Sequence, residues 1–130
     1  MQLVIGGSYQ GKTRYIEENF PEYRIYDEKN FRELCRGENR QEDVVWNHLH
    51  LCVKELLEIM TPEEIGGLVE KVVKAHPDMV LVSDEIGSGI VPMERAERQY
   101  REVTGRLLCN VAKNAEKVVR VTCGIPMRIK

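Results

Sequence analysis

The apolar positions of this chain alternate between two periods. Leu3-Val4-Ile5 is a short apolar run before Gly6-Gly7 and predicts a buried strand over residues 2–5. Lys12 to Asn19 follows as a helix that Pro21 ends. Tyr23 to Tyr26 is a second short strand, and Glu28 to Arg36 forms a helix with Phe31, Leu34 and Cys35 on one side. The polar stretch Gly37 to Glu42 reads as a loop, and residues 43–46, ending in Trp46, as a third strand. From Leu49 to Met60 the apolar residues fall at 49, 52, 53, 56, 57 and 60, which is a helical stripe. Thr61-Pro62-Glu63-Glu64 starts another helix: a threonine cap, proline in the first turn, acids at the positive end. Its Gly66-Gly67 pair weakens that helix or loosens its first turn.

Met79-Val80-Leu81-Val82 is the clearest strand after the first. A long helix opens at Pro92 and runs to about Ala115 on apolar steps of three and four. Val118 to Cys123 is a fifth strand, Gly124-Ile125-Pro126 a turn, and Met127 to Lys130 a short final strand. Strands alternating with helices predict an α/β fold: a mainly parallel sheet with helices on both faces, three layers in all. The length, 130 residues, suits one domain spanning 1–130.

Composition narrows the partners. Acids and bases are interleaved, with a formal net charge of -2, which argues against a general nucleic-acid binder. No apolar run approaches the roughly 20 residues that span a bilayer, and no targeting segment stands before the first strand, so no membrane is expected and the cytoplasm is the default. Cys35, Cys52, Cys109 and Cys123 are scattered without a C-x-x-C pair and read as reduced thiols. His48 and Cys52, four apart, are too few for a zinc site.

The chemistry starts at Gly6-Gly7-Ser8-Tyr9-Gln10-Gly11-Lys12-Thr13. This fits G-x-x-x-x-G-K-[ST], with Gly6, Gly11, Lys12 and Thr13 at the fixed places. Glycines let backbone N–H groups turn inward around a phosphate chain, and the following helix points its positive end at the same anion. Lys12 reaches β- and γ-phosphates, and the Thr13 hydroxyl binds Mg²⁺. The stretch lies between a strand and a helix in a β/α chain, as such a cradle requires. The expected ligand is a nucleoside triphosphate, ATP or GTP, with Mg²⁺.

A second acid for the metal belongs at the end of a neighbouring strand. Trp46-Asn47 offers an amide there, whereas Ser83-Asp84-Glu85 offers two acids. Asp84 and Glu85 are therefore the candidates for holding Mg²⁺ or orienting a nucleophile. Gly87 and Gly89, in the next loop, permit close approach of a ligand. Arg95, Arg98 and Arg101 either meet phosphates or lie on an exposed face beside Glu94, Glu97 and Glu102.

The segment from Val80 to Pro92, with its Ser83-Asp84-Glu85-Ile86-Gly87-Ser88-Gly89-Ile90-Val91-Pro92 core, resembles T-N-E-V-G-x-G-I-V-P, the signature of the bifunctional adenosylcobinamide kinase / adenosylcobinamide-phosphate guanylyltransferase family. The likeness continues through Arg95, Arg98, Tyr100, Arg101, Gly105 and Arg106 to the closing stretch from Gly124 to Lys130. The opening loop is similar to the family's G-G-x-R-S-G-K-S. The resemblance implies a RecA-like P-loop NTPase fold and a homo-oligomer, a trimer. It implies phosphoryl transfer to the aminopropanol hydroxyl of adenosylcobinamide in cobalamin biosynthesis or salvage, with Lys12, Glu85 and Asp84 as catalytic residues, Thr13 and Glu85 at the metal, and Gly87, Gly89, Pro92, Arg95 and Arg98 near the substrate.

Family members carry out a second reaction, in which a histidine takes GMP from GTP. The chain departs from the family there. Asp27 to Gln41 contains no histidine, Asn47 stands where the family has an acid, Tyr9 and Gln10 replace an arginine and a serine, and Leu108 replaces an asparagine. His48 and His50 lie past the third strand, away from the acceptor position, where packing at a helix start is their expected role. Guanylylation needs a nucleophilic imidazole beside an α-phosphate. The expectation is a kinase without the guanylyltransferase half. The alternatives are a degenerate nucleotide- or corrinoid-binding module, or a kinase for another small alcohol.

Overall fold

In the computed structural model, which describes residues 1–37, 41–86 and 92–130, the elements follow in chain order. They are β1 (Gln2–Gly6), α1 (Lys12–Asn19), β2 (Arg24–Tyr26), α2 (Phe31–Cys35), β3 (Val44–Trp46), α3 (Leu49–Leu56), α4 (Pro62–Ala75), β4 (Val80–Asp84), α5 (Arg95–Asn114), β5 (Lys117–Thr122) and β6 (Ile125–Arg128). The six strands form one sheet in the order β2-β3-β4-β1-β5-β6. β1 lies between β4 and β5 and is parallel to both; β6 pairs antiparallel with β5. The expected α/β architecture, a mainly parallel sheet under helices on both faces, is present.

Side chains of a strand alternate between faces, and the alternation divides the core in two. Leu3, Tyr26, Val44, Trp46, Leu81 and Val118 join the apolar stripes of α2, α3, α4 and α5. Val4, Val45, Val80, Val82, Val119 and Val121 join Ile16 of α1, with Tyr15, Phe20 and Tyr23 packed alongside. Trp46 is completely buried, stacks on Phe31 at 6.1 Å and donates from Nε1 to Cys52 Sγ.

Several boundaries differ from the pattern-based expectation, among them the start of α2, at Phe31 rather than Glu28. α5 begins at Arg95 rather than Pro92, because Arg98 turns back and donates to the carbonyls of Pro92 and Met93 at 3.2 and 2.6 Å, holding that stretch outside the helix. α3 ends at Leu56, before Met60. The last turn is Cys123-Gly124 rather than Gly124 to Pro126; both turn residues have positive φ (51° and 75°), as a two-residue type I′ hairpin requires, so β6 starts at Ile125. The α4 cap is as expected: Thr61 and Glu64 exchange both bonds of a capping box at 3.2 Å.

Candidate active site

The site lies at the carboxyl ends of β1, β3 and β4, where open α/β sheets gather ligands. Gly6, the last residue of β1, stands beside Asp84, the last of β4. A Cβ on Gly6 would sit 2.4 Å from the Val121 carbonyl oxygen, so β1 can lie this close to β5 only with glycine there. Gly11 has φ +99°, and a Cβ added there would come within 3.0 Å of the Gly124 Cα, so glycine lets the loop turn into α1 against the β5–β6 hairpin.

Lys12 is buried at the start of α1 and reaches back beneath the loop. Its Nζ donates to the carbonyls of Gly6 (3.1 Å) and Gly7 (2.6 Å) and lies 2.7 Å from Asp84 Oδ1. The ammonium's three donors are thereby used. Asp84 also accepts from Ser8 Oγ at 2.8 Å. Burial pushes the Asp84 carboxyl up, but the bonds from Lys12 and Ser8 and the nearby Lys12 charge outweigh it and hold it below the usual carboxylate range.

His50, in the first turn of α3, is buried against Asp84. Its Nδ1 accepts the Asp84 N–H at 3.1 Å and its Nε2 lies 3.4 Å from Asp84 Oδ2. Desolvation lowers its pKa despite the carboxylate, keeping the ring neutral with the proton on Nε2. Tyr100 of α5 donates to the His50 carbonyl at 2.9 Å, anchoring the turn.

Ser8, Tyr9, Gln10, Gly11, Lys12 and Thr13 line a cleft of roughly 780 Å³ together with Asn47, His48, His50 and Asp84. Thr13 is exposed at its mouth and Tyr9 is fully exposed. Gln10 has a structural role: its Oε1 accepts the Cys123 N–H at 2.6 Å and its carbonyl accepts the Gly124 N–H at 2.8 Å. The hairpin turn thus braces the loop.

The two acids after β4 part company. Asp84 faces the cleft, while Glu85 donates its N–H to the Gly6 carbonyl at 2.9 Å and pairs through its carboxylate with Arg120 of β5 at 2.8 Å. Arg98 of α5 donates back to Pro92 just before the helix and Arg95 is exposed, all outside the cleft lining; Gly87 and Gly89 lie outside the described residues. Sequence reasoning assigned His48 and His50 to packing at a helix start. The structure puts both on the cleft wall, a consequence of the parallel pairing of β3 with β4.

Hard oxygen donors suit Mg²⁺, which takes few protein ligands and completes its shell with phosphate and water. The Thr13 hydroxyl and the Asp84 carboxylate fit that demand. Among the described residues no three His, Cys, Asp or Glu side chains converge as a metal cluster.

Residues 21–129 match the family described as cobinamide kinase / cobinamide phosphate guanyltransferase, CobU. The chain belongs to this family. The match covers the middle of the chain and its closing stretch and leaves out the glycine loop. The bifunctional adenosylcobalamin biosynthesis protein CobU of Escherichia coli is 37% identical over 67 residues, 52% of this chain and 37% of that protein. CobU of Salmonella typhimurium is 37% identical over 68 residues, 52% of this chain and 38% of its own length. CobP of Pseudomonas aeruginosa, also a bifunctional adenosylcobalamin biosynthesis protein, is 30% identical over 86 residues, 63% of this chain and 50% of the relative. The chain therefore aligns with half or less of the length of these CobU and CobP relatives. No described helix is long and apolar enough to cross a membrane.

Proposed function

We propose that this CobU-family chain is a nucleoside-triphosphate-dependent kinase that phosphorylates the aminopropanol hydroxyl of adenosylcobinamide, and that it lacks the guanylyltransferase half. The observation that carries the reading is the Lys12–Asp84 pair, 2.7 Å apart, at the base of a glycine loop that opens onto a cleft. Loop amides and the α1 N-terminus receive the phosphates. Lys12 exchanges its bonds to Gly6, Gly7 and Asp84 for β- and γ-phosphate oxygens. Thr13 and Asp84 hold Mg²⁺, which when bound neutralises charge on the phosphates. Phosphoryl transfer asks mainly for positioning and charge stabilisation, and these residues supply both.

Glu85 enters this reading as a brace: its Arg120 pair ties β4 to β5 beside the cradle. The family resemblance supports a trimer in the cytoplasm, and exposed Ile125 and Met127 on β6, with Ile129 just past it, offer an apolar surface for such assembly.

The test is incubation with Mg²⁺, γ-labelled ATP or GTP and adenosylcobinamide. Labelled adenosylcobinamide phosphate is expected, with Lys12→Ala at least about 100-fold slower. Nucleotide binding without transfer would sink the kinase reading. The absence of histidine from Asp27 to Gln41 supports loss of the second reaction; label from α-labelled GTP retained on denatured protein would refute that part.

A further inference from the structure

One wall of the cleft has no part in phosphate binding. His48 follows β3 with φ 55° and ψ 42°, the left-handed region, which a residue with a side chain keeps only where its surroundings hold it. Its N–H donates to Asn47 Oδ1 at 3.0 Å. Its Nδ1 lies 2.7 Å from Glu28 Oε2, on the segment leading into α2. Burial pushes the Glu28 carboxyl up, but a backbone hydrogen bond and the His48 imidazole prevail and hold it below its ordinary range.

A carboxylate on Nδ1 selects the tautomer with the proton there and leaves the lone pair on Nε2. The His50 ring stands edge-on 6.0 Å away, and His50 in turn touches Asp84, the partner of Lys12. An imidazole with a fixed tautomer therefore shares one cleft with the residues that would hold the γ-phosphate.

We propose that His48, oriented by Glu28, is the general base for the hydroxyl that receives the phosphoryl group. This rests on the kinase reading above. As the alcohol oxygen bonds to the γ-phosphorus, its O–H bond breaks and the proton passes to His48 Nε2. The bond from the γ-phosphorus to the bridging oxygen breaks, and the nucleoside diphosphate leaves with that electron pair. The Glu28 carboxylate stabilises the imidazolium, which returns its proton to solvent through the open side of the cleft. The other charged or titratable groups around this wall are His50, Asp84 and Lys12 on the floor, and Arg14 and Glu17 of α1 across the opening.

The experiment is the pH profile of kcat for transfer from ATP to adenosylcobinamide, in wild type, His48→Asn and Glu28→Gln. Asparagine tolerates the left-handed backbone, so the first variant spares the fold. Expected are a rate that rises with pH for wild type, a loss of about 10²–10⁴-fold with no such ascending limb for His48→Asn, and a smaller loss of kcat for Glu28→Gln. Nucleotide affinity stays unchanged in both variants. A His48→Asn enzyme within twofold of wild type, or one keeping the limb, would overturn the proposal. So would a nitrogen NMR spectrum placing the wild-type His48 proton on Nε2, a readout independent of the acceptor. Wild type that binds nucleotide and transfers nothing to the alcohol would instead overturn the kinase reading beneath it.

Discussion

On one face of the sheet Leu3, Tyr26, Trp46 and Leu81 meet four helices; on the other, a layer of valines from β1, β3, β4 and β5 meets α1, with Phe20 and Tyr23 beside it. The first face holds the large buried side chains, Trp46, Tyr26 and Phe31 among them. The second is thin, and its covering helix is the one whose N-terminus forms the phosphate cradle. Damage to the thick face should therefore appear as lost stability, and damage to the thin face as lost stability together with lost nucleotide affinity.

The contrast can be tested by substitution. Trp46→Ala empties the largest buried position and should cost about 3–5 kcal/mol in urea unfolding. Nucleotide affinity of the protein that remains folded should change less than twofold. Ile16→Ala, beneath α1, should cost about 2–4 kcal/mol, and here affinity should fall as well, because the cradle rides on that helix. Equal effects of the two variants on affinity would break the comparison. Gln10→Ala removes a single side-chain hydrogen bond to the Cys123 amide, about 1 kcal/mol. Thermal melts should barely move while triphosphate affinity, read by calorimetry, drops several-fold.

The smallest effect is one of pH. Burial depresses the folded-state pKa of His50 below the ordinary imidazole value of about 6.5, so the unfolded chain takes up the proton first. The stability from a neutral His50 is complete above about pH 6.5 and is lost as pH falls through the depressed folded value. Asp84, also depressed, adds its own loss at lower pH. In EDTA, His50→Asn should flatten the decline of Tm just below pH 6.5; an unchanged slope would show that His50 does not set it.

Much of this was legible in the residues. Leu3-Val4-Ile5, the glycine loop and the start of α1 are local signals, and the parallel α/β layout follows from alternating periods. The family match, over residues 21–129, bears out the resemblance seen from Val80 to the closing stretch, while the glycine loop lies outside it. The fates of Asp84 and Glu85 were not legible. Adjacent residues at a strand end point opposite ways, and which one meets Lys12 depends on the register that sets Gly6 beside Asp84. His48 and His50 read as helix-start packing because they lie past the third strand, away from the family's acceptor position; pairing of β3 with β4 brings them to the cleft. Gln10 as an acceptor for a hairpin turn left no sequence signal, since its partners are more than a hundred residues away.

That last contact bears on the order of assembly. β1 pairs with β4 and β5, and the cradle behind it is braced by Cys123 and Gly124. A ribosome makes the phosphate loop directly after β1, yet β4, β5 and the hairpin turn that hold the pair in place are made much later. Contacts of such long sequence separation form slowly, after the loop-closure entropy is met. The nascent chain thus carries the glycine loop unbraced while more than a hundred further residues are made, and competence to bind a nucleotide should arrive all at once, when the β5–β6 hairpin closes.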